Sequence, residues 1–249
     1  MNTETARRNN SSSAIVNSYD LNHPFAEGSF RYVAKGTYTS GRRRGERCVA
    51  KWFKTGSVYE ESYFHADIKT ANKCIELVTK WNDSSGIDKT VQVNLPAVWT
   101  FDDECSDHIR NTKVLIEPFI SNYEKFNSNT GWYSDGVAWG RAMQALSHYS
   151  YDASGGNLLL CDLQGGVYSN GIVLTDPVIM SQVAGQYGPT DLGSEGISSF
   201  FATHRCNEYC RRHWRKPRNR MSYYNPRAGT TMEHVPTRTS RPAMTHQRW

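Results

Sequence analysis

The sequence predicts an α+β fold of two lobes with a cleft between them, on three observations. Strand-like alternation of apolar and polar residues dominates the first half, interrupted by one long stretch of helical periodicity. The second half is richer in helix, and its short apolar strands end at acidic turns. Finally, 249 residues with 38% hydrophobic and 12% aromatic content can bury a core for one ample domain or two small lobes, and no internal repeat divides them.

Residues 1–22 are polar around NNSSS and read as a disordered arm. From Phe25 the pattern turns strand-like: GSFRYVAKGTYTS and ERCVAKWFK alternate well and flank the basic turn GRRRG. EESYFHADIKTANKCIELVTKWN has apolar residues near helical spacing (Phe64, Ile68, Ala71, Ile75, Val78) and opens with acids, which predicts one amphipathic helix. Strands follow at VQVNLPAVWTF and TKVLIEPFI. The second half opens with a helix expected over 135–148, then strands at NLLLCDLQG and GIVLTDP, then a glycine-rich loop, GQYGPTDLGSEG. A last helix is expected over 194–210. Beyond Trp214 apolar periodicity ends, and 215–249 reads as a basic, disordered tail.

The formal net charge of +5 is unevenly spread. Residues 211–249 hold ten Lys/Arg against one acid, while the remainder holds 19 basic and 23 acidic residues. The domain is mildly acidic and the positive excess sits in the tail. RRHWRKPRNR, with its aromatic among the charges, would suit a nucleic-acid backbone, but a solvated basic tail is the favoured reading and nucleic acid is not the expected partner. The longest apolar runs, such as GNLLLC and TKVLIEPFI, fall far short of the ~20 residues that span a bilayer, so no membrane partner is expected. Six cysteines are too few for a disulfide scaffold of this size, and no leader-like order of charged, apolar and small residues opens the sequence. A reduced, cytoplasmic setting is expected, where cysteines more often bind metal than form disulfides.

His204, Cys206 and Cys210 follow H-x-C-x3-C and supply three of the four N/S ligands that tetrahedral zinc takes. His148, Cys161 and His213 are candidates for the fourth. The competing reading is two buried cysteines acting as small hydrophobes beside an exposed histidine. With no open coordination position evident, such a site would be structural. Asp162 in CDLQG and Asp176 in LTDP each end a short apolar strand at a turn. With Gln164 nearby they offer the hard oxygen ligands that Mg2+ accepts, although a single Asp at such a junction more often caps backbone N–H groups. Lys51 lies mid-strand in CVAKWFK, either snorkelling at an edge or holding phosphate as a point charge. The turn before it, with Gly28 and Arg31, suits an approach to phosphates through backbone N–H groups. Glycine turn, strand lysine, helix and acidic pair come in the order that phosphoryl-transfer enzymes use. The missing G-x-x-x-x-G-K-[ST] excludes a P-loop NTPase, and the missing H-R-D and D-F-G exclude an ordinary protein kinase.

The same residues resemble the α-kinases, the atypical protein kinase family that includes myosin heavy chain kinases, the elongation-factor kinase and the kinase domains of certain TRP channels. The resemblance runs from about Phe25 to Cys210 through GSFRYVAKG, CVAKWFK, SYFHADIKTANKCIELVTKWN, VLIEPFI with YEKFNSNTG, LSHYSYDASGGNLLLCDLQG, LTDP, GPTDLGSEG and FFATHRCNEYC, in family order. It implies a bilobal protein-kinase-like fold, with an N-lobe (23–120) of antiparallel sheet plus the long helix and a mixed C-lobe (121–214) braced by zinc. It also implies roles. Lys51 would hold the ATP phosphates, helped by Gly28, Ser29 and Arg31, and Glu117 would lie at the hinge against adenine. Asp162 would orient the substrate hydroxyl, with Lys125 near the active site, and Gln164 and Asp176 would bind Mg2+. For zinc the resemblance selects His148, over Cys161 and His213, to join His204, Cys206 and Cys210. The loop of Gly188, Gly193 and Gly196 would contact the protein substrate.

Two departures from the family pattern stand out. Between Asp162 and Asp176 lie 13 residues, a few more than the animal enzymes have, which a longer hairpin at GGVYSNG would absorb. Ala71 replaces an expected Gln on the long helix, leaving Asp67, Glu61 and Glu76 as candidate partners of Lys51. The expected activity is ATP- and Mg2+-dependent transfer to protein Ser/Thr hydroxyls. A pseudokinase using the same cleft without turnover is the first alternative, and RNA binding through the tail the second. YYNPRAGTT and TRTS also fit a tail that docks an acidic substrate or takes up phosphate itself.

Overall fold

Two sheets carry the fold, and the chain passes between them more than once, most abruptly at Pro96. In the computed structural model the described residues are 5–84, 87–106, 109–136, 139–218 and 220–232. The first sheet is antiparallel, in the order Ala14–Ile15, Arg31–Tyr38, Arg47–Phe53, Lys113–Pro118 and Ala97–Thr100, with Ala26–Glu27 added beside Arg31–Tyr38. The second runs Ala6–Arg7, Thr90–Asn94, Gly171–Leu174, Gln164–Tyr168 and Tyr123–Lys125; its first three strands are parallel. The expected single strand VQVNLPAVWTF is therefore two. Proline lacks the N–H a ladder needs, so pairing stops before Pro96 and resumes at Ala97 in the other sheet.

The long helix is His65–Ser84, entered through a 3-10 turn at Glu61–Phe64. Its buried face is Thr70, Ala71, Cys74, Leu77, Val78 and Trp81, rotated slightly from the expected stripe. That face packs in one core with Val91, Val93, Phe126, Met143 and Leu146, so the helix rests against the second sheet and the helix Gly140–Ala153. Its N-terminal end alone reaches the first sheet, through a bidentate pair from Arg31 to Asp67 at 2.8 Å on both oxygens. One rigid element thus spans both lobes.

The helix expected over 135–148 is Gly140–Ala153, and the last helix is Gly193–Thr203, shorter than predicted. His204, Cys206 and Cys210 lie beyond its end, where the chain leaves helical geometry; H-x-C at two-residue spacing has no common face on a helix. The hairpin Leu158–Cys161 with Val178–Ser181 completes the second half.

The terminal segments differ from the expectation of disorder. Ala6–Arg7 pairs with Val93–Asn94, Ala14–Ile15 pairs with Tyr38 and Thr37, and buried Asn9 donates to the Ile116 carbonyl at 2.9 Å, so the arm ties one sheet to the other. Past Cys210, Trp214 is buried against Trp81 and Tyr149. The main chain then follows the second lobe: Met221 donates to Ser198 Oγ (2.8 Å), Tyr223 to Ser199 Oγ (2.9 Å) and Arg227 to Thr130 Oγ1 (3.1 Å). Apolar periodicity is blind to docking of this kind, which rests on backbone groups meeting side-chain hydroxyls. The outermost parts of both expected segments, 1–4 and 233–249, lie outside the described residues.

Candidate active site and metal centre

Pairing register brings the two acids together. Cys161 pairs with Val178 in one hairpin and Gly165 with Leu174 in the next, so the two crossings between hairpins, at Asp162 and at Asp176, face each other. Both residues adopt the left-handed region, φ 55° at Asp162 and 47° at Asp176, which Asp tolerates better than most residues. The Thr175 N–H donates to the Gln164 carbonyl at 3.0 Å, seating Gln164 next to Asp176. The tight hairpin between them turns at Ser169–Asn170 and absorbs the extra residues. At Gly165 an added Cβ would fall 1.9 Å from the Val173 carbonyl oxygen, so only glycine lets these strands approach so closely.

Lys51, only 6% exposed, enters the cleft from the first sheet. Its ammonium lies 2.6 Å from Asp176 Oδ2, contacts the Glu117 carboxylate and donates to Thr175 Oγ1 at 3.1 Å. Thr175 in turn donates to Glu117 Oε2 at 2.8 Å. The partner of Lys51 is therefore on the neighbouring strand, not on the long helix: Asp67 is engaged by Arg31, and neither Glu61 nor Glu76 pairs with Lys51. Burial works against the charged ammonium, but Asp176 and Glu117 outweigh it and raise its pKa. The Asp176 side chain is 45% exposed to the open cleft; the cleft walls work to raise its pKa, yet Lys51, with Arg31 and Lys125 behind it, holds it below the usual carboxylate range.

Asp162 is in the opposite state. It is 1% exposed, and burial pushes its pKa up despite Lys125 at 2.9 Å from Oδ1. Its other oxygen accepts from Thr230 Oγ1 at 2.7 Å, with the Gln164 amide nitrogen 3.5 Å away. Two carboxylates in one cleft thus differ: each faces a lysine, but at Asp176 the cation prevails and lowers the pKa, whereas at Asp162 burial prevails and raises it.

The cleft holds about 770 Å³ and is lined by Gly28, Arg31, Lys51, Glu117, Lys125, Asp162, Gln164 and Asp176, which suits a ligand of nucleotide size. Ser29 lies on its rim in the turn with Gly28. Arg31 is buried, committed to Asp67 and flanked by the rings of Phe30, Phe53 and Phe64. Glu117 turns its carboxylate inward, one residue before the chain leaves the first sheet at Pro118. Gly188 lines an adjoining pocket that shares Arg31, Glu117 and Asp176 with the cleft, whereas Gly193 and Gly196 lie in the first turn of the last helix. An added Cβ at Gly196 would meet Met180 Sδ at 2.2 Å, so this glycine lets the helix sit on the strand Val178–Ser181. Sequence reasoning passed over several groups that organise the site. Buried Asp191 accepts from the N–H groups of Ser181, Tyr187 and Gly193 and so shapes the glycine loop. Asn127 accepts from the Leu163 N–H at 2.8 Å and donates to Ser147, fixing the Asp162 turn to a helix. Thr175, Asn129 and Thr230 belong with them; nothing but their place in the quoted motifs and in the tail pointed their way.

The ligand atoms of His148, His204, Cys206 and Cys210 lie within 4.8 Å of one another. His204 Nε2 is 3.2 Å from His148 Nδ1, Cys206 Sγ is 3.5 Å from His148 Nδ1 and 3.8 Å from His204 Nε2, and Cys210 Sγ is 3.9 Å from His204 Nε2. A tetrahedron with nitrogen at ~2.0 Å and sulfur at ~2.3 Å from its centre has edges of ~3.3–3.8 Å, so the donor set fits one cation. His148 Nε2–H donates to the Arg215 carbonyl at 2.9 Å, which leaves Nδ1 facing the cluster with its lone pair. Burial, then His148 and Lys216, push the His204 pKa down to about 3, which keeps that ring neutral as a ligand must be. Cys161 is buried elsewhere and His213 is exposed; neither joins the cluster.

Among the described residues no helix is long and apolar enough to cross a membrane, and all six cysteines are free. The protein is similar to alpha-protein kinase vwkA of Dictyostelium discoideum, 41% identical over 98 residues (39% of this chain, 16% of that protein). It is 34% identical to alpha-protein kinase 1 of the same organism over 188 residues, or 75% of this chain and 13% of that protein. The chain therefore spans less than a fifth of the length of either relative. Its fold matches the inactive alpha-kinase domain of myosin-II heavy chain kinase A complexed with ATP, with a TM-score of 0.66 at 22% identity, covering 80% of this chain and 87% of that one. The Alpha-kinase family model matches residues 26–210, a span that takes in the glycine turn, Lys51, both cleft acids and all four side chains of the His–Cys cluster; the chain belongs to the alpha-kinase family.

Proposed function

We propose that the chain is an ATP- and Mg2+-dependent protein kinase that transfers the γ-phosphoryl group to Ser/Thr hydroxyls of protein substrates, with zinc as a structural metal. One observation carries this reading: Lys51 from one sheet and Asp162, Gln164 and Asp176 from the other converge on a single cleft. The relatives named kinases and the neighbour complexed with ATP support it.

In this reading Lys51 neutralises phosphate oxygens, and its raised pKa keeps it charged. Glu117 and Thr175 hold its ammonium at a fixed height in the cleft. The turn of Gly28 and Ser29 covers the phosphates, Arg31 braces that strand through Asp67, and the chain at Glu117 borders the base. Asp176 and Gln164, held side by side, carry the oxygen donors that would hold Mg2+, which when bound screens the triphosphate charge. Asp162 accepts the hydrogen bond of the acceptor hydroxyl, aligning it for in-line attack, and Lys125 steadies the carboxylate. Gly188, in the pocket adjoining the cleft, would meet the protein substrate together with the start of the helix that begins with Gly193 and Gly196. Two imidazoles and two thiolates in a tetrahedral set favour zinc among common metals. Free cysteines throughout support a reducing, cytoplasmic setting.

The test is transfer of label from γ-labelled ATP to a basic, Thr-containing protein substrate, with and without Mg2+. Mg2+-dependent labelling of Ser or Thr is expected. Nucleotide binding without any transfer would identify a pseudokinase and overturn the reading.

A further inference from the structure

The stretch Arg227–Met232 crosses the mouth of the cleft, and it is held by its backbone. Asn129, fully buried, grips Thr231 from both sides: its Oδ1 accepts from the Thr231 N–H at 2.9 Å and its Nδ2 donates to the Thr231 carbonyl at 2.7 Å. Thr130 Oγ1 does the same for Arg227, accepting from its N–H (3.1 Å) and donating to its carbonyl (3.2 Å). From the other lobe, Ser29 Oγ donates to the Thr230 carbonyl at 3.2 Å. Clamps on N–H and C=O groups fix position and direction whatever the side chains, which is how a protein holds an extended acceptor peptide. Between the clamps one side chain points inward: Thr230 Oγ1 donates to Asp162 Oδ2 at 2.7 Å, the contact expected between an acceptor hydroxyl and its base.

We propose that Thr230 is the chain's own phosphoryl acceptor, modified within the same molecule; this rests on the kinase reading above. The Thr230 oxygen attacks the γ-phosphorus of ATP, forming the Oγ1–P bond as the P–O bond to the β-phosphate breaks. The bonding pair leaves with ADP. The hydroxyl proton passes to Asp162 and from there to solvent. Thr231, next in sequence, is not the acceptor, because its hydroxyl turns away to Arg227, accepting from Nε at 3.0 Å and Nη2 at 2.8 Å. The product puts a phosphate dianion beside the Asp162 carboxylate, and like-charge repulsion then favours release of the segment from the cleft.

The full chain, incubated with labelled ATP and Mg2+ and mapped by mass spectrometry, should carry phosphate at Thr230. The first-order rate constant of labelling should not change across a dilution series, as an intramolecular step requires. Thr230→Val, nearly isosteric, should lose this phosphate, while Thr231→Val should keep it. Labelling of an added Thr-containing protein with Thr230 unmodified would overturn the inference and leave the kinase reading standing. So would a labelling rate proportional to protein concentration, which marks transfer between molecules. No label on either acceptor would overturn both.

Discussion

Asp162→Asn and Asp176→Ala should each remove phosphoryl transfer and yet move thermal stability in opposite directions. Loss of a positioned base costs about 10²–10⁴-fold in rate, and loss of a group that stabilises charge about 10²–10³-fold. Stability follows from the two pKa shifts. The Asp162 carboxyl is pushed above its ordinary value by burial, so its charged form costs more in the folded chain than in the unfolded one. That cost is absent at low pH and grows as pH rises through the raised pKa. Asparagine fills the same space without the charge, so the Asp162→Asn protein should melt at the same temperature or higher at neutral pH. Asp176 is held below its ordinary value by Lys51, so it contributes stability that is present at neutral pH and lost as pH falls through the lowered pKa. Asp176→Ala leaves buried Lys51 with one carboxylate instead of two, and its melting temperature should fall. The rate of the unaltered protein should also climb with pH on its acid side through the Asp162 ionisation, a limb that Asp162→Asn should flatten. Paired melts and a pH–rate profile test the assignment. A destabilised Asp162→Asn protein that keeps its activity would reverse the roles given to the two carboxylates.

What the sequence made legible follows from what each signal measures. Strand Arg31–Tyr38 was readable because its burial alternates over its second half, and Arg47–Phe53 and Lys113–Pro118 because, buried on both faces, they stand out as short apolar runs. Tyr123–Lys125 and Ala6–Arg7 were not, because two or three residues carry no period. The long helix was readable, but its burial on the second sheet was not: amphipathicity gives a face without saying what covers it. At the site, Lys51, Asp162 and Asp176 could be picked out by residue type at strand positions. Their mutual contacts depended on register between hairpins far apart in sequence. The pairing of Lys51 with Glu117 is of that kind. Glu117 sits in an apolar strand and faces Lys51 only because the two strands are neighbours in the sheet, a fact that spacing along the chain does not contain. The docking of Thr230 is the extreme case, since 68 residues separate it from Asp162 and no apolar face brings it there.

Cys206 gives the sharpest test of the metal centre because it contributes so little else. His148 is fully buried among Phe201, Trp214 and His204, so His148→Ala would open a cavity and destabilise the protein with or without a cation. Cys206 is exposed, and an ordinary exposed side chain can be truncated within about 0.5 kcal/mol. If Cys206 is one of four zinc ligands, the outcome is different. A structural zinc contributes roughly 10–16 kcal/mol of apparent binding energy to folding, as much as or more than the 5–15 kcal/mol by which a whole domain is stable. Cys206→Ala should therefore unfold the segment after Thr203, together with Trp214 and the Arg215 carbonyl that orients His148, and lower the melting temperature far beyond a surface substitution. Cys105→Ala, outside the cluster, serves as the control. Elemental analysis should find one zinc per chain in the unaltered protein and none in the Cys206→Ala variant, and a strong chelator should destabilise the former and leave the latter unchanged. A Cys206→Ala protein that melts with the parent, both free of metal, would reduce the four side chains to neighbours in a polar corner of the core.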